Sequence, residues 1–208
     1  MVFLLKKQGV HVTVSTNGSL LSRHLDALLS VDHVQLSISG WDKESFKSLH
    51  GSLRFDVVHD EVMRFYSLRG ERKSPLITIN LLSYPGTEVD DFWEHWYDYC
   101  DEIVVHPLTG TTVFEDGRFK TVMGDLCFPS VVDYGCGCSY PFDTLVVSFD
   151  GKIGLCCQDY SHRLSLGYIQ DGLKRCFCGS VFRDVRDDFL FGVPWVCRDC
   201  GRFHKVKP

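Results

Sequence analysis

The chain has 208 residues, 44% of them apolar and 24% charged, with a formal net charge of −5. That length allows one large or two small domains with a proper core, so disulfide staples are not needed for stability, and the acidic balance argues against wholesale nucleic-acid binding. No apolar run approaches the roughly 18 residues of a membrane span, and the stretch Met1–Leu5 before Lys6 and Lys7 is too short for a signal-peptide core, which predicts a cytoplasmic protein with no membrane partner.

In chain order, "MVFLLKKQG" reads as the tail of an amphipathic helix. "HVTVST" is a short β-branched strand ended by "NG". "SRHLDALLSV" follows as a helix, with Ser22 as its expected N-cap and Leu25, Leu28 and Leu29 on one face. "HVQLSIS" is the next strand, and "WDKESFKSLHG" starts a helix at Asp42 and stops at a glycine. "FDVVHDEVMRFYSLRG" has Val57, Val58, Val62, Phe65 and Leu68 at helical spacing. An apolar strand "PLITINLLS", an acidic-started helix "EVDDFWEHWYDYC" and a fourth strand "EIVVHPL" complete the first region.

This strand–helix alternation predicts an α/β fold with a parallel sheet and right-handed crossovers. Ligands of such sheets sit at the carboxyl ends of the strands. The residues there are Ser15, Thr16 and Asn17, then Ser37, Ser39 and Gly40, then Asn80, then His106 and Pro107. They are small and polar, without an acid/base pair, so they suit a polar ligand; as turn and cap residues they need no ligand at all.

The cysteines divide the chain. There are ten, of which only Cys100 lies in the first half; the rest run from Cys127 to Cys200. In a reducing compartment such a number favours metal or cluster ligation over disulfides. Residues 1–110 therefore form one region and 126–208 another, with the polar stretch 111–125 as a linker or β-ribbon. In the second region Asp150-Gly151 signals a hairpin between "TLVVSF" and "KIGLCC". Strand alternation then turns Cys156 and Cys157 to opposite faces, so one serves as a ligand and the other as a small core residue. "CRDC" lets Cys197 and Cys200 converge on one centre, and a second pair is needed to complete four thiolates. Cys138 with Cys156 is one such pair; Cys136 and Cys157 compete with it. Cys176 in "LKRCFCGSVFRDVRDDF" shares a helical face with Leu173 and reads as core. Spacing alone leaves zinc and iron–sulfur both open.

Together the two regions resemble the radical S-adenosylmethionine (SAM) superfamily. "VTVSTNGSLLSRHLDALLSVDHVQLSISGWDKESFKSLHG" looks like the middle of its barrel, with a strand ending in "TNG" and the next in "SISG". "CSYPFDTLVVSFDGKIGLCCQDY" and the stretch that follows it, through Phe-x-x-x-Arg to the final C-x-x-C, look like the SPASM/twitch auxiliary-cluster domain. The resemblance implies a partial (β/α) barrel lacking its first strands, followed by a small cysteine-rich α+β domain. It implies that Cys138, Cys156, Cys197 and Cys200 ligate one auxiliary [4Fe–4S] cluster, the spacing Cys-x₁₂-Gly-x₄-Cys fitting Cys138, Gly151 and Cys156. It places Asn17, Ser37 and Ser39 near the ribose or methionyl part of SAM, and Asn80 and the backbone around His106 nearer the adenine.

The family's SAM-cleaving Cys-x-x-x-Cys-x-x-Cys loop is missing from these residues, as no cysteine precedes Cys100. The expectation is a truncated reading frame, a split subunit or a degenerate relative, inactive alone in SAM cleavage. SAM would then be a cofactor only where a partner chain supplies the first barrel strands. A non-enzymatic zinc- or iron–sulfur-binding structural module is the alternative.

Overall fold

A computed structural model describes residues 1–83, 86–107, 138–157, 159, 163–192 and 194–197. They fall into two units, Met1–Leu108 and Thr109–Pro208. The expected linker or ribbon, residues 111–125, lies outside the described residues, as do Cys127, Cys136 and Cys200.

In the first unit, α1 (Val2–Lys7) leads into β1 (Thr13–Thr16), a 3₁₀ turn at Leu21–His24, α2 (Leu25–Leu28) and β2 (His33–Ser37). Then come α3 (Lys43–His50), α4 (Phe55–Arg69), β3 (Leu76–Ser83), α5 (Val89–Trp96) and β4 (Glu102–Pro107). The four strands form one parallel sheet in sequence order β1-β2-β3-β4.

Alternation along these strands separates two faces. One carries Val34, Leu36, Ile77, Ile79 and Leu81, each no more than 1% exposed, and packs with Phe46, Val58, Val62, Phe65, Phe92 and Trp96 into one core. Each such burial stabilises by roughly 1.5–3 kcal/mol. Helices α3, α4 and α5 thus share a single face of the sheet. The other face carries a row of polar side chains beside Leu76, Leu82 and Val104. Ser15 stands beside Gln35, Gln35 beside Thr78, Thr78 beside Glu102, and Ser37 beside Asn80. There the Ser15 hydroxyl donates to Gln35 Oε1 at 2.9 Å, and His33 Nε2 bonds Thr78 Oγ1 at 2.7 Å. A parallel sheet is normally covered on both faces, and this row lies on the face away from the core helices α3, α4 and α5.

Three local expectations change. Ser22 is not an N-cap: the segment begins as a 3₁₀ turn, and both the amide and the hydroxyl of Ser22 donate to Glu61 on α4 at 2.6 Å. Val57 and Leu68 are exposed, 40% and 44%, and the buried stripe of α4 is Val58, Val62, Phe65 and Arg69. Arg69 is buried because its Nη1 donates to both oxygens of Asp101, at 2.9 and 2.7 Å. The "SISG" turn is tight for a steric reason: a Cβ on Gly40 would stand 2.5 Å from the Phe46 backbone.

The second unit has α6 (Tyr140–Asp143), β5 (Val146–Val147), β6 (Lys152–Gly154), β7 (Ser165–Tyr168), α7 (Leu173–Phe177) and α8 (Ser180–Phe191). Its strands form an antiparallel sheet, β5-β6-β7. The hairpin loop is three residues, not two. The Gly151 amide donates to the Ser148 carbonyl at 3.0 Å and the Ser148 amide to the Lys152 carbonyl at 2.9 Å. Gly151, at φ +84°, holds the left-handed position that such a loop requires. Ile153, Leu155, Leu166, Cys176, Phe182, Val185 and Phe189 make the core.

Candidate metal centre

The strand-parity argument for Cys156 and Cys157 does not hold, because β6 ends at Gly154. The chain turns instead, with the Asp159 amide donating to the Cys156 carbonyl at 3.2 Å. Cys156, next to the buried Leu155, is half-buried, and Cys157 is exposed rather than a core residue. The turn is held by Asp159, 5% exposed, whose Oδ1 accepts from the Arg163 amide at 3.1 Å and whose Oδ2 accepts from the Leu164 amide at 3.2 Å.

Cys138 precedes Ser139, the N-cap residue of α6. Cys197 closes a 3₁₀ turn, Trp195–Cys197, its amide donating to the Pro194 carbonyl at 2.8 Å. Both thiols are half-buried and pack against the same core of the second unit. Cys176 is core, as expected, with its Sγ 3.5 Å from the Tyr168 carbonyl; its expected companion Leu173 is 47% exposed. Among the described residues no group of three or more His, Cys, Asp or Glu side chains is arranged to hold a metal ion; the fourth expected ligand, Cys200, lies outside them.

Sequence reasoning missed Arg186, although it quoted the Phe-x-x-x-Arg spacing that carries it. The i,i+4 offset on α8 brings the guanidinium over Phe182, 4.3 Å from the ring centre, and Phe177 covers it at 4.2 Å. Nε donates to the Pro141 carbonyl at 2.7 Å and Nη1 to the Phe177 carbonyl at 2.8 Å.

In the first unit the four expected strand-end residues divide. Ser37 is exposed at the end of β2 and is the register partner of Asn80, whose Oδ1 is buried with no hydrogen-bond partner among the described residues. Asn17 and Ser39 serve local structure. Asn17 Oδ1 accepts from the amide and hydroxyl of Ser19 at 3.1 and 2.7 Å. Ser39 Oγ accepts from the Leu82 amide at 3.0 Å, and the Ser39 amide donates to His50 Nε2 at 3.0 Å. Burial lowers the pKa of His50, which keeps that nitrogen an acceptor.

Four converging thiolates would close the coordination of a metal or cluster. Such a site suits folding support or electron transfer rather than direct binding of a substrate. No helix among the described residues is long and apolar enough to cross a membrane. No curated protein matches the chain. Residues 136–201 match the SPASM family, an iron–sulfur cluster-binding domain. That stretch runs from before Cys138 to just past Cys200, and the domain family it matches binds iron–sulfur clusters, which supports an iron–sulfur cofactor for the cysteine-rich unit.

Proposed function

We propose that this chain is the auxiliary-cluster part of a radical SAM enzyme, holding one [4Fe–4S] cluster on Cys138, Cys156, Cys197 and Cys200. The observation that carries the reading is the SPASM match over residues 136–201. The packing of Cys138 and Cys197 against one core, with Cys156 half-buried after Leu155, is compatible with that ligand set. When bound, such a cluster stores and passes single electrons. The protein's own part is to hold the thiols: Asp159 fixes the turn after Cys156, and α6 and the 3₁₀ turn fix Cys138 and Cys197.

The first unit, on this reading, is part of a (β/α) barrel. A parallel sheet in sequence order, with its core helices on one face and polar side chains on the other, supports it. Ser37 and Asn80 would contact SAM, the buried Asn80 Oδ1 offering an acceptor; Asn17 and Ser39 would shape the adjoining turns. These residues contain no Cys-x-x-x-Cys-x-x-Cys loop, so radical formation would depend on a partner chain or segment bringing that loop and the strands that carry it.

Anaerobic reconstitution with ferrous iron and sulfide tests the reading. The expected product is brown, with about four irons per chain. Ser in place of Cys138, Cys156, Cys197 or Cys200 removes most of the iron, whereas Cys157→Ser retains it. With SAM and dithionite alone, no 5′-deoxyadenosine forms. A colourless chain that takes up one zinc on the same thiols would make it a structural zinc module instead.

A further inference from the structure

Arg186 presents an electrostatic imbalance. Its guanidinium lies against both Phe177 and Phe182, whose ring centres are 5.2 Å apart, and is bonded to two carbonyls, Pro141 and Phe177. No carboxylate pairs with it among the described residues, and its Nη2 is buried there without a hydrogen-bond partner. A charged nitrogen withdrawn from water without a partner is costly unless an anion belongs beside it. Its location indicates which anion. Pro141 follows Cys138 by three residues, a chain reach of roughly 10 Å. Cys138, Phe177 and Cys197 pack against the same core as Phe182. An all-thiolate iron–sulfur cluster carries net negative charge, more so when reduced.

We propose that Arg186 is the positioning cation of the SPASM site. Its stacked fork ties the Cys138 segment to α7 and α8, and its Nη2 and charge face the thiolate-ligated cluster. This rests on the cluster reading above. The positive charge stabilises the reduced form more than the oxidised form, and so raises the midpoint potential.

The test compares the full chain as wild type, Arg186→Lys and Arg186→Gln after anaerobic loading with ferrous iron and sulfide. The readouts are iron per chain after gel filtration, far-UV circular dichroism, and midpoint potential by dye-mediated titration. Arg186→Gln should retain several-fold less iron, and the remaining cluster should titrate at a more negative potential. Arg186→Lys, which keeps the charge but loses the fork, should load less iron than wild type and titrate at a potential close to wild type. A folded glutamine variant with wild-type iron and potential overturns the proposal, as does a lysine variant whose cluster titrates as negative as the glutamine one's. Should the glutamine variant not fold, a lysine cluster with a potential close to wild type supports the proposal and one with a markedly more negative potential overturns it. A wild type that stays colourless is a different result: it defeats the cluster reading itself, and this inference with it.

Discussion

Cys100 and Cys157 show how far neighbouring structure governs a thiol. Cys100 follows α5 and its Sγ donates to the Trp96 carbonyl at 3.4 Å. Burial first, and the charge of Asp101 next, push its thiol up to about 11. At pH 8 it is therefore protonated and a poor nucleophile. Cys157 and Cys178 are exposed, and Cys176 is 7% exposed in the core. Brief iodoacetamide treatment of the native chain at pH 8, read by peptide mass spectrometry, should label Cys157 and Cys178 and spare Cys100 and Cys176. Labelling of Cys100 as fast as Cys178 would contradict this account. The sequence separated Cys100 from the rest by position alone. It could not show that Cys157 is exposed, because that follows from where β6 stops, two residues before Cys156.

Among the elements, α3 was the most legible. Asp42 Oδ1 accepts from the amides of Glu44 and Ser45 at 3.1 and 2.8 Å, and Ser45 Oγ accepts in return from the Asp42 amide at 3.2 Å. This is a reciprocal capping pair written in four consecutive residues. The other end was not legible. His50, stacked on Phe46 with ring centres 4.2 Å apart, accepts the Ser39 amide and so fixes the strand-end turn. Its folded pKa lies below the ordinary 6.5. The unfolded chain then binds the extra proton first, so this contribution is whole above about 6.5 and is lost as pH falls through the folded value. Burial lowers His95 as well, with His59 adding to the effect and Asp42 opposing it, so it acts in the same direction. Urea midpoints of the first unit's transition should fall between pH 7.5 and 5.5. His50→Gln, which can still accept the Ser39 amide but takes up no proton, should show a shallower fall. An equal slope in that variant would remove His50 from the explanation.

At the scale of the whole molecule, the two units have separate cores, one around Ile79 and Phe65, the other around Ile153 and Phe182. The candidate thiols all belong to the second. Binding to a folded site stabilises only the unit that forms it. Calorimetry of loaded and metal-free chain should therefore show one transition that moves on loading and one that does not; movement of both by the same amount would mean that the units unfold as one. By itself the sequence determined the order of strands and helices, the hairpin and the grouping of cysteines, because periodicity, capping and spacing are local properties of a chain. The tertiary structure alone decided the rest. It paired Ser37 with Asn80, tied Ser39 to His50, exposed Cys157 and left Arg186 Nη2 without a partner among the described residues. Each of these depends on groups brought together by packing from separate elements, and short-range pattern carries no record of such meetings.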